Sequence, residues 1–365
     1  MNACKSGKGV KMRDKNITAK NAWIRDLTAR LDSLCPDALN ETGIASLQSL
    51  NAIIGSKHDK FFNLRDDVFL SPDDFVARWL SELDRLSNDG HISSITIANH
   101  MKRSKNFTEY LRTFLKRSFL IHFHEWSRVR PKLQDAAIWI GQKNANYGLL
   151  VTPRFANGQW ENDKSEIRAV PFNYWTIGHV LKTGLVVPSK NNEIFKFKTV
   201  EDYFLFFESV IVRASGSQYE IELADCYKKF VLAEKNQKDI PLLIPELRYD
   251  GLAVKHKYRL DFTIINPYTQ QKVGFELSPW STHGYLARTK EMTQAQINEA
   301  AKNNFEKEMC KHRDYFKKFN ITVLIYTDTN LQDCRKLFEE EIKPRLSLEK
   351  PRPAFPFDVA RKYGI

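Results

Sequence analysis

Two acids stand where acids are costly. Between residues 258 and 283, two short apolar runs, YRLDFTII and KVGFELS, each carry a single carboxylate, Asp261 in the first and Glu276 in the second. Both runs have the composition of β-strands, joined by an Asn266-Pro267 turn and a polar loop, which predicts a hairpin. A carboxylate within a strand is expensive to bury unless something compensates it. Two of them side by side repel, and a shared divalent cation relieves both. The chemistry such a pair predicts is metal-assisted hydrolysis. The competing arrangement is an ion pair with Arg248 or Arg259, the latter two residues from Asp261 and on the same face of a regular strand.

The elements around the pair are those needed to hold it. Upstream, Ser217 followed by Glu220 is a capping-box signal, and Tyr219, Leu223, Tyr227 and Phe230 repeat at helical spacing through about Val231. Glu222, two positions from Glu220, points to another face. Downstream, a polar helix is expected over residues 289–319, with Phe305, Met309, His312 and Phe316 on one stripe. The run Ile321-Thr-Val-Leu-Ile-Tyr326 predicts another strand, and a last helix is expected over about 330–341.

With its order of helix, strand, strand, helix, strand and helix, this segment resembles the core of the PD-(D/E)xK nuclease superfamily over roughly residues 215–340. The resemblance implies that Asp261 and Glu276 hold Mg²⁺, with Mn²⁺ able to substitute, beside a scissile phosphate. It also implies a third acid from the preceding helix, for which Glu220 is the candidate, unless that residue only caps its helix. Ser278 stands where the commonest version of the motif has a Lys, so Glu-Leu-Ser followed by His283 looks more like the Vsr-like branch that lacks it. Ser278 then occupies the Lys slot and His283 is the group to orient water or neutralise charge. Lys272 or Lys290 could supply an ammonium instead. The expected fold is α/β (α+β overall), a restriction-endonuclease-like core with a mixed central sheet flanked by helices, preceded by a mainly helical region. The expected activity is Mg²⁺-dependent hydrolysis of DNA phosphodiester bonds. The alternatives are a catalytically inactive DNA-binding module on the same fold and an RNA-processing nuclease.

Charge points to the same class of partner. The 365 residues carry a formal net charge of +12. Residues 1–20 contribute six Lys/Arg against Asp14, a net of +5; residues 96–132 contribute nine against Glu109 and Glu125, a net of +7. These two segments hold the whole excess, a distribution suited to a polyanion. Lys102, Arg103, Lys105, Arg112, Lys116 and Arg117 are the phosphate-contact candidates, on two helices whose basic turn at residues 103–106 is compatible with a helix-turn-helix. Ser71-Pro72-Asp73-Asp74 predicts a helix start, followed by Phe75, Trp79, Leu83 and Leu86 on one face, and a stop at Asn88-Asp89-Gly90.

The expected organisation is a basic arm over 1–20, a helical DNA-binding domain over 21–132, an aromatic-rich α+β module over 133–214, the nuclease-like core over 215–345 and an extended tail over 346–365. No apolar run is long enough for a transmembrane helix, and the basic N-terminus lacks the apolar stretch of a secretory signal. Five scattered cysteines lack the paired spacing of a zinc site and suit reduced thiols in a cytoplasmic protein. A homodimer, or a place in a multi-subunit DNA-processing system, is consistent with this reading.

Overall fold

In the computed structural model, the described residues are 15–63, 66–141, 146–162, 170–191, 193–249, 259–277, 292–350 and 355–363. They form an α+β protein whose chain divides into two compact units, residues 1–128 with 351–365, and residues 129–350.

The first unit is helical. Helix α1 (Lys15–Thr42) lies along α6 (Lys105–Ile121), and α2 (Leu47–Gly55), α3 (His58–Phe61), α4 (Pro72–Asn88), α5 (Ile92–Arg103) and α7 (Phe123–Trp126) complete the unit's helices before residue 128. The start of α4 is as its sequence requires: Ser71 Oγ accepts the Asp74 N–H at 3.1 Å, and Pro72 occupies the first turn, where no N–H is needed. Gly90 then adopts a φ of +84°, which few other residues tolerate. Phe75, Trp79 and Leu83 are buried among Phe61, Phe62, Phe69 and Trp126.

Both ends of the chain depart from expectation. Residues 15–20 belong to α1 instead of an arm, while residues 1–14 lie outside the described residues. The tail is not simply extended. It ends in the helix Phe357–Tyr363, against α1. The Asn16 amide donates to the Phe355 carbonyl at 3.0 Å and accepts the Phe357 N–H at 2.8 Å, and Phe357 is fully buried. An apolar Phe-Pro-Phe segment gains more from covering Trp23 and Phe123 than from solvent.

Among its described residues, the second unit holds two four-stranded sheets and a two-stranded one. Strands β1 (Ala137–Ile140), β2 (Tyr147–Leu150), β5 (Leu185–Val187) and β6 (Glu193–Phe195) form an antiparallel sheet in the order β1-β2-β5-β6, beside the hairpin β3 (Pro153–Ala156) and β4 (Gln159–Asn162). Helix α8 (Ile177–Thr183) is tied to β2 by His179, whose Nδ1 accepts the Trp175 N–H and whose Nε2 therefore donates to the Leu150 carbonyl. That buried histidine is structural. Helix α9 (Val200–Phe206) follows, with the capping box Thr199/Asp202.

The other sheet is mixed, in the order β10-β9-β8-β7, with β7 (Ile244–Pro245), β8 (Phe262–Ile265), β9 (Lys272–Leu277) and β10 (Ile321–Tyr326). The β8–β9 pair is antiparallel and the β9–β10 pair parallel. Helix α10 (Gln218–Ala233) precedes this sheet, and α11 (Gln294–Lys317) makes the crossover a parallel pair needs. The stripe of α11 is buried as expected at Phe305, Met309, His312 and Phe316. The expected last helix is present: after a short turn of helix at Asp328–Leu331, an unbroken helical run extends from Cys334 to Leu346, widened to a π-helical stretch at Phe338–Ile342.

A boundary at residue 214 is absent. Ala136, Trp175, Phe204, Tyr227, Phe262, Phe275 and Leu346 share one hydrophobic cluster. The Arg248 N–H also donates to Trp139 O at 2.8 Å, and Lys272 pairs with Asp135 at 2.6 Å. The aromatic-rich stretch is therefore part of the same core as the mixed sheet.

Candidate functional site

Asp261 sits at a bend immediately before β8. The bend breaks the alternation of the strand. Leu260 packs over Gly274, where even a Cβ would meet its Cδ1 at 2.4 Å, while Phe262 joins the large cluster with Phe275. Continuing the Phe262–Phe275 register by one residue sets Asp261 opposite Glu276. The hairpin thus brings the two backbone positions together. Asp261 Oδ2 accepts the Leu277 N–H at 2.6 Å, which ties the carboxylate to β9. Glu276 is buried at 6% exposure and leaves β9 on the face opposite Phe275 and Leu277.

Burial dominates the chemistry of these acids. It pushes the Asp261 carboxyl up to about 7, with the Glu246 charge adding to the rise and the Leu277 N–H and the Arg259 charge opposing it. Burial likewise pushes Glu220 up to about 8, helped by the charges of Asp261 and Glu246 and opposed by the Ser215 hydroxyl and Arg259. Glu220 is on the α10 stripe that buries Leu223, Ala224 and Tyr227, and its Oε2 is buried without a hydrogen-bond partner. Its helix cap does not use this carboxylate. Ser217 Oγ accepts the Glu220 N–H at 3.4 Å, whereas the Ser217 N–H goes to Ser215 Oγ at 3.2 Å. Glu222 faces elsewhere, accepting a hydrogen bond from the exposed Gln218.

The acid that sequence reasoning missed is Glu246. It follows β7 with a φ of +47°, and its N–H donates to the Asp261 carbonyl at 3.3 Å. It is also the partner of Arg259, at 3.4 Å, so the ion pair considered for Asp261 is made with Glu246. The signal was present: a lone acid in the apolar run Leu242-Leu-Ile-Pro-Glu-Leu247. Of the other candidates, Lys272 is held by Asp135, and Ser278, His283 and Lys290 lie outside the described residues.

An all-carboxylate donor set suits a hard dication such as Mg²⁺, and the unpartnered Glu220 Oε2 is an acceptor that such an ion would satisfy. Among the described residues, however, no three or more His, Cys, Asp or Glu side chains stand grouped to hold a metal ion. The fit is one of chemistry and placement, with the ligand set not closed.

The basic residues divide into two kinds. Helices α5 and α6 meet at Ser104 alone, which caps α6 by accepting the Phe107 N–H at 2.8 Å and donates to the Glu41 carboxylate. A three- or four-residue helix-turn-helix turn is therefore absent, because Lys105 already belongs to α6. Lys102, Arg103, Lys105 and Arg112 are exposed. Lys116 pairs with Asp73 at 2.7 Å and Arg117 Nε donates to Thr28 Oγ1 at 2.7 Å, so these two serve the packing of α6 on its neighbours.

No family model, curated protein or solved structure matches this chain. No helix among the described residues is long and apolar enough to cross a membrane.

Proposed function

We propose that residues 129–350 form a Mg²⁺-dependent DNA endonuclease of the PD-(D/E)xK kind, and that the exposed basic residues of the helical unit hold the DNA backbone. The observation that carries this reading is geometric: the β8–β9 register sets Asp261 opposite the buried Glu276, and Glu220, whose Oε2 is buried without a partner, lies in the same acidic neighbourhood. Buried acids that resist ionisation are costly to keep unless their charge has a use. Asp261, Glu276 and Glu220 would hold the ion. When bound, Mg²⁺ supplies polarisation of the phosphoryl group and acidification of a water molecule. The chain's own part is to place the ligands: Leu277 N–H orients Asp261 by one oxygen, and Glu220, whose carboxyl burial pushes up, would offer its unpartnered Oε2 to the ion. The free thiols of Cys35, Cys226, Cys310 and Cys334 fit a cytoplasmic setting, and assembly as a homodimer or with partner proteins is compatible with double-strand cutting.

A second reading, a nuclease-like module that binds nucleic acid without cutting it, is favoured by the lack of a closed ligand group among the described residues. Plasmid DNA and a labelled RNA incubated with Mg²⁺ or Mn²⁺, each with and without EDTA, separate these outcomes. Metal-dependent nicking or linearisation of DNA supports the endonuclease, cleavage of RNA alone redirects the substrate class, and intact substrates throughout favour the binding module.

A further inference from the structure

Hydrolysis of a phosphodiester forms a P–O bond from water and breaks the P–O bond to the leaving oxygen, which ends with one of the water protons. Between the two events the non-bridging oxygens carry more negative charge than in the substrate, and a preorganised cation is the usual means of stabilising it. The neighbourhood of Asp261 is rich in the wrong sign for this, with Glu220 and Glu246 acting on it or on each other. Among the described residues, Arg259 is a cation whose field acts on both Asp261 and Glu220.

Its setting suits a group that reaches outward. The Arg259 side chain is 48% exposed, whereas its partner Glu246 is only 12% exposed. The pair is loose, with Nη1 3.4 Å from one Glu246 oxygen and 3.5 Å from the other, longer than a good charge-assisted contact. Glu246 is the fixed end. Its N–H is bonded to Asp261, its carbonyl accepts the Gly141 N–H at 3.4 Å, and Leu247 bridges to Ile140. A half-solvated ion pair is weakly held, so the guanidinium can exchange Glu246 for a stronger, planar acceptor. Phosphate is that acceptor.

We propose that Arg259 is the residue that donates to the non-bridging oxygens of the scissile phosphodiester, and that Glu246 positions it beside the acids. This rests on the endonuclease reading above. The test uses the full chain with Arg259→Gln, Arg259→Lys and Glu246→Gln. Expected for Arg259→Gln is a fall in kcat of about 100-fold, the scale for removal of a charge-stabilising donor, with KM nearly unchanged. Arg259→Lys should recover part of the rate, and Glu246→Gln should fall by less than Arg259→Gln.

Titration calorimetry with Ca²⁺ in the absence of DNA gives an independent readout. Removing a cation from among carboxylates should tighten Ca²⁺ binding in Arg259→Gln severalfold. Wild-type cleavage by Arg259→Gln, with active wild-type protein, overturns this proposal alone. A slower Arg259→Gln with unchanged or weaker Ca²⁺ binding and a lowered melting temperature also overturns it, as a structural role. Wild-type protein that cuts neither DNA nor RNA overturns the endonuclease reading and this proposal with it.

Discussion

At the scale of single residues, the raised carboxyls make a prediction about stability that needs no substrate. Below about pH 4 these carboxyls are protonated whether the chain is folded or not. As pH rises from there, the unfolded chain ionises them while the fold keeps their protons, so stability is lost up to about pH 7 for Asp261 and about pH 8 for Glu220. The slope is at most about 1.4 kcal/mol per pH unit for each group. Metal-free protein should therefore melt at a lower temperature at pH 8 than at pH 5.5. Asp261→Asn and Glu220→Gln, which imitate the protonated forms, should each flatten that dependence, and Mn²⁺ should raise the melting temperature of wild type at pH 8 far more than that of either variant. A flat wild-type profile would contradict the burial argument. For activity, Asp261→Ala and Glu276→Ala should each abolish Mg²⁺-dependent cleavage and leave DNA affinity intact or slightly higher. Full activity in either would remove that residue from the site.

Among the elements, the junction of α5 and α6 separates residues that the sequence pools. Lys102, Arg103 and Lys105 are exposed, and neutralising all three should weaken DNA binding and flatten the log–log salt dependence by about 0.9 for each phosphate no longer neutralised. Lys116 and Arg117 are turned to α4 and α1. Lys116→Gln with Arg117→Gln should leave the salt slope unchanged while costing stability, about 1 kcal/mol or less for the Lys116 ion pair. A fluorescence-anisotropy titration over several salt concentrations checks both variants. Equal slopes for the two would mean that pairing within the helical unit does not keep Lys116 and Arg117 from the DNA. The strands β8 and β9 and the crossover helix α11 were legible in sequence, because apolar runs, an Asn-Pro turn and a helical stripe are local signals. The bend at Asp261 was not, since it follows from Leu260 packing on the glycine at 274.

At the scale of the whole chain, the last residues belong to the first unit. Deleting residues 351–365 uncovers the neighbours of the fully buried Phe357. Loss of that one side chain's burial costs about 1.5–3 kcal/mol. Calorimetry of the truncated chain should show the helical unit melting earlier, with any separate transition of residues 129–350 unmoved. An unshifted profile would show that the C-terminal helix contributes nothing to that core.

The amino-acid sequence by itself determined the helical character of the first unit, the strands of the mixed sheet, and the placing of Asp261 against Glu276. Each of these depends on residues a few positions apart, or on one hairpin. Only the tertiary structure decided that Glu246 joins Glu220 and Asp261, that Arg259 pairs with Glu246, and that the aromatic-rich stretch packs into the same hydrophobic cluster as the mixed sheet. It also placed the C-terminal helix on α1. These are contacts between segments far apart in the chain, set by which apolar surfaces cover one another and by how far each carboxyl is removed from water. Periodicity does not encode them. Burial does, and it turns ordinary carboxylates into groups that hold their protons near neutrality.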